Sequence, residues 1–184
     1  MSSSSSFNKL ASSAIARFNL RKATKWSGEI VLILAVVRGI SLWQTRNMLE
    51  TDGSATIPDM QLVSMQGNVE SLFDSRGHTL VYFWAPWCSV CAISIGSLDN
   101  VDNEDLNIVT IAMDFDSIES VEAFVNEHNV SSKVLLGNEQ IRQFFQVQGY
   151  PSYYLVNKEA KVVAKSFGLN TSIGIKLNHW LSKT

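Results

Sequence analysis

Residues 79–91 read Thr-Leu-Val-Tyr-Phe-Trp-Ala-Pro-Trp-Cys-Ser-Val-Cys. Thr79 to Trp84 is a run of β-formers with no polar alternation, so it reads as a central strand buried on both faces. A helix is expected to follow from about Cys88. Cys88 and Cys91 are the chain's two cysteines in 184 residues, which excludes a disulfide-stapled mini-scaffold and a zinc site of four thiolates. Haem attachment is excluded because Ala92 stands where that chemistry needs histidine. His78, His128 and His179 are scattered singly, so no metal ligand set is expected. Copper(I), which two thiolates can hold alone, stays open as an alternative.

Outward from this stretch, the pattern alternates strand and helix. Upstream, Met60, Leu62 and Ser64, then Gly67-Asn68, then Val69 and Leu72 predict a β-hairpin, since Gly-Asn supplies the positive backbone angles of a tight turn. Downstream, Leu106 to Met113 is a second buried strand, and Ser117 to His128 places Ile118, Val121, Phe124 and Val125 at helical spacing. Val134–Leu136, a helix over Gln140–Phe145, strands at Ser152–Val156 and Val162–Ser166, and a closing helix over Thr171–Lys183 follow. The order implies an α/β domain over residues 58–184, with a mixed sheet flanked by helices and an N-terminal hairpin extension. Residues 45–57 lack apolar periodicity and read as a stalk.

The N-terminal segment differs in charge. Residues 1–47 hold seven Lys/Arg against the lone Glu29, a local +6, whereas the remainder sums to −8. An acidic folded portion repels polyanions, so nucleic acid is not an expected partner. Residues 1–25 form a basic arm without acids. Residues 26–44 contain the apolar run Ile30–Val37, interrupted by Arg38 and bracketed by Trp26 and Trp43. Nine aliphatics contribute about −4 kcal/mol to membrane insertion against roughly +3 for a central Arg, so one transmembrane anchor is feasible. A cleaved signal peptide, a mitochondrial presequence and a buried core helix are the alternatives. The anchor is favoured, and the positive-inside rule places the arm in the cytoplasm and the domain across the membrane.

A Cys-x-x-Cys at a strand-to-helix turn has a mechanism. Unpaired backbone N–H groups and the helix dipole stabilise a thiolate at Cys88, making it the expected nucleophile, with Cys91 one turn inside as the resolving thiol. No cofactor is required; the redox-active group is the Cys88–Cys91 pair. Trp84-Ala85-Pro86-Trp87-Cys88-Ser89-Val90-Cys91 resembles the active site of the thioredoxin superfamily, and Gly149-Tyr150-Pro151 before a strand resembles that superfamily's cis-proline loop. The likeness spans Pro58 to Gly168. With the hairpin and the anchor it points to the membrane-anchored TlpA-like branch, and within it to the suppressor for copper sensitivity D type of protein disulfide oxidoreductase.

That resemblance implies a thioredoxin-like fold and disulfide exchange with periplasmic protein thiols. It further implies recharging by a membrane redox partner, and a location in the bacterial inner membrane with the C-terminal domain periplasmic. It assigns substrate contacts to Trp87, Tyr150 and Pro151, with Trp84 and Phe83 left to the core. Three positions depart from the pattern: Tyr82 replaces a buried acid six residues before Cys88, Ser94 stands where many members carry glutamate, and Gly96 stands where a helix-kinking proline is expected. Proton transfer to or from Cys91 is thereby left without an assigned residue.

Overall fold

The computed structural model describes residues 28–73, 77–98, 101, 106–169 and 172–182. The basic arm 1–25 and Trp26 lie outside the described residues, as do Thr171 and Lys183. The chain divides into two units, Met1–Trp43 and Gln44–Thr184. Helix α1 (Gly28–Thr45) is long and apolar enough to cross a membrane, with a mean hydropathy of 1.4. Its large apolar side chains, from Ile30 to Trp43, are exposed.

In the second unit, strands β1 (Gln61–Ser64) and β2 (Val69–Ser71) form the expected hairpin, turning at Gly67 with φ +80°. Then come β3 (His78–Trp84), α2 (Ser89–Ile95), β4 (Leu106–Ala112), α3 (Ile118–Glu127), β5 (Lys133–Leu136) and α4 (Glu139–Phe144). Strands β6 (Ser152–Val156) and β7 (Val162–Phe167) and helix α5 (Ser172–Leu181) close the unit. The sheet order is β2-β1-β5-β4-β3-β6-β7. Strand β3 pairs parallel with β4 and antiparallel with β6, while β4 pairs parallel with β5. The architecture is a thioredoxin-like mixed sheet flanked by helices.

Every residue of β3 is buried, because its two faces serve two cores. Leu80, Tyr82 and Trp84 pack with Ile95 of α2, Val121 and Phe124 of α3 and Ile175 of α5. Val81 and Phe83 pack on the other face with Ile141 of α4, Phe145 and Tyr154. Each such aliphatic or aromatic side chain contributes about 1.5–3 kcal/mol when fully removed from water.

Residues 45–57 correct the sequence reading. They are not a free stalk but part of the folded unit: Met48 is 2% exposed and Ile57 1%, both in the α4-side core. The Leu49 N–H donates to Tyr154 Oη at 3.2 Å and Lys165 Nζ donates to the Met48 carbonyl at 3.1 Å. Ile57 N–H donates to the Ala160 carbonyl at 2.8 Å, and Thr56 bridges Lys161. Met48-Leu49 and Ile57 are widely spaced in a polar segment, so no local periodicity marks them; the backbone bonds that hold them come from residues more than a hundred positions downstream. Met48→Ala in the full chain is expected to cost about 2–5 kcal/mol of stability, read as a lowered urea midpoint, whereas a free stalk leaves the midpoint unchanged.

Candidate active site

The turn after β3 is held at both ends. The Met113 N–H donates to the Trp84 carbonyl at 2.8 Å, and the Cys88 N–H donates to the Ala85 carbonyl at 3.0 Å. Cys88 caps α2 in an extended conformation, and its Sγ accepts the Cys91 N–H at 3.1 Å. The two cysteines form a disulfide with Cα atoms 5.2 Å apart. Cys88 is 6% exposed and Cys91 fully buried, so of the two cysteines only Cys88 keeps any exposed surface. When the bond is reduced, the N–H that caps α2 faces whatever negative charge Cys88 carries. Among the described residues no group of three or more His, Cys, Asp or Glu is placed to hold a metal ion.

Trp87 stands 64% exposed beside Cys88, while Trp84 and Phe83 are core residues. Tyr150 is half-buried and Pro151 buried, and the Tyr150–Pro151 peptide bond is cis. The structure brings these two segments together: the Trp87 and Tyr150 rings meet edge-on with centroids 5.8 Å apart.

What holds them was not legible in the sequence. Asp114 follows β4 with φ +46°, a left-handed conformation that aspartate tolerates better than most residues. Its carbonyl accepts the Trp87 indole N–H at 2.9 Å, and its carboxylate accepts both the Tyr150 hydroxyl, at 3.1 Å, and the Arg142 guanidinium of α4. Arg142 also donates to Tyr150 Oη at 2.9 Å. Burial raises the Tyr150 phenol pKa against the opposing pull of Arg142. Asp114 and Arg142 are 28 residues apart, and neither lies in a motif; only the proximity of the β4 end to α4 joins them.

Two of the departures from the superfamily pattern, Tyr82 and Ser94, are neighbours. Tyr82 Oη and Ser94 Oγ are 2.6 Å apart and buried. Ser94 spends its proton on the Val90 and Cys91 carbonyls, at 3.0 and 3.3 Å, so Tyr82 is the donor. Burial pushes the Tyr82 phenol well above its ordinary range, and the pair is neutral at any physiological pH. It is a hydrogen-bonded brace between β3 and α2, not a base.

Residues 54–165 match the AhpC/TSA family, more than half of the chain. The chain belongs to that family. The matched residues run from the segment before β1 into β7. Thioredoxin-like protein YneN of Bacillus subtilis (strain 168) is 27% identical over 147 residues, covering 75% of this chain and 86% of that protein. A thiol:disulfide interchange protein from Bacteroides sp. superposes with a TM-score of 0.57 at 25% identity, over 70% of this chain and 87% of that one. A thiol:disulfide interchange protein of the thioredoxin family from Chlorobium tepidum TLS gives 0.62 at 16% identity, over 71% and 97%. With its Cys88–Cys91 disulfide, this AhpC/TSA member is a thioredoxin-like thiol–disulfide oxidoreductase. Tyr82→Phe is expected to destabilise the oxidised protein by about 1 kcal/mol, the net value of one buried hydrogen bond. Comparing the urea midpoints of the two proteins checks this, and equal midpoints mean the brace carries no load.

Proposed function

We propose that the protein is a membrane-anchored thiol–disulfide oxidoreductase that exchanges disulfides with protein cysteines outside the cytoplasm. The observation that carries the reading is the asymmetry of the pair: Cys88 caps α2 beside exposed Trp87 and keeps a little exposed surface, while Cys91 is fully buried. In the reducing direction the Cys88 thiolate attacks a client disulfide, forming a Cys88–client bond and releasing the second client sulfur as a thiolate. Cys91 then attacks Cys88 Sγ, forming the intramolecular disulfide and releasing the first client sulfur. Two electrons pass to the client, which takes up two protons. The oxidising direction is the reverse. Trp87, Tyr150 and Pro151 border the client sulfur, and no cofactor takes part. A membrane redox partner resets the pair.

Helix α1 supplies the anchor, through residues 26–44 in the bilayer, and the basic arm before it favours a cytoplasmic N-terminus with the domain on the periplasmic side of a bacterial inner membrane. Copper(I) binding by the same two thiolates is the alternative function; it needs the pair reduced and competes with exchange.

In Cys91→Ser, the resolving step is lost and Cys88 is expected to accumulate as a mixed disulfide with client proteins, seen on non-reducing gels. Cys88→Ser abolishes both this adduct and insulin reduction. Absence of any adduct, together with failure of the unsubstituted protein to reduce insulin, rejects the reading. For topology, alkaline phosphatase fused after residue 60 is expected to be active, and an inactive fusion rejects the orientation.

A further inference from the structure

Cys88 borders more than the Trp87–Tyr150 contact. A groove of about 690 Å³ runs from Pro86–Ile93 at the start of α2 to Phe115–His128 along α3, with Cys88 in its wall. Its apolar side includes Trp87 and Ile93, the latter 74% exposed. The unit leaves most of both side chains exposed on the same groove wall, and apolar surface grouped in this way marks an interaction site. The opposite side is acidic. Asp116 and Glu127 line the groove, and among the described residues they and His128 are its ionisable side chains apart from the cysteine. Helix α3 adds Glu119 and Glu122 and contains no Lys or Arg, so no cation on that helix neutralises the groove.

We propose that this groove receives the segment flanking a client cysteine, and that it selects segments pairing an apolar side chain with a lysine or arginine. The proposal rests on the exchange reading above and adds the class of client. The apolar flank packs on Trp87 and Ile93, and the basic flank faces Asp116 and Glu127 across the groove. The client is held there while its sulfur bonds to Cys88 Sγ. Partly desolvated opposite charges attract several-fold more strongly than in open water, and complementary charge acts chiefly on encounter and partner choice.

The test uses the full oxidised chain in detergent and two single-cysteine peptides, identical except that one carries two lysines and the other two glutamates after a Phe-Cys pair. The peptide thiolate attacks Cys88 Sγ, forming the mixed disulfide and releasing Cys91 as a thiolate; a second peptide thiolate attacks the peptide sulfur of that bond, releasing Cys88 and a peptide disulfide. Tryptophan fluorescence follows the opening of the pair. Each rate is divided by that peptide's rate with hydroxyethyl disulfide, which removes the effect of flanking charge on the thiol itself. The lysine peptide is expected to react about five- to tenfold faster at low salt, with the ratio shrinking toward one at 0.5 M salt. Glu127→Lys should collapse the ratio, whereas Glu122→Lys, an equal charge change on α3 outside the groove lining, should keep most of it. Ile93→Ser should slow both peptides. Equal rates for the two peptides overturn the groove proposal alone, and so does an equal loss in the two Glu variants, which assigns the preference to the general field of the domain. Failure of both peptides to open the pair overturns the exchange reading and the groove with it.

Discussion

Burial of β3 on both faces is the constraint on which the rest depends. A strand with seven consecutive buried residues cannot shift register by one without exchanging Leu80, Tyr82 and Trp84 for Val81 and Phe83 in two differently shaped cores. Its hydrogen bonds to β4 and β6 run along nearly its full length. The end of β3 is therefore fixed in space, and Cys88, four residues beyond Trp84, inherits that rigidity.

Topology then gathers the site. Strands β3 and β4 are parallel, so the turns that follow them emerge at the same end of the sheet; β6 is antiparallel to β3, so the loop before it lies at that end too. This places the Cys88 turn, Asp114 and Tyr150-Pro151 within reach of one another, in the position where open α/β sheets hold their sites. Arg142 on α4 joins them through Asp114 and Tyr150. Exposed ion pairs add little stability by themselves, but here Asp114 fixes two aromatic side chains next to the disulfide, Trp87 through its backbone carbonyl and Tyr150 through its carboxylate.

The sequence alone settled the order of elements, the central strand, the hairpin turn at Gly67 and the redox pair, because each is written in local periodicity or in two residues three apart. It also separated Trp87 from Trp84 and Phe83 by their place relative to the strand end. The sequence could not reveal that the segment before residue 58 is core, that Asp114 and Arg142 clamp Trp87 and Tyr150, or that Tyr82 and Ser94 are bonded. Each of these is a contact between residues with no common period. Only the tertiary structure decided them, since it is the sheet's strand order, not neighbourhood along the chain, that brings such residues within a few ångströms.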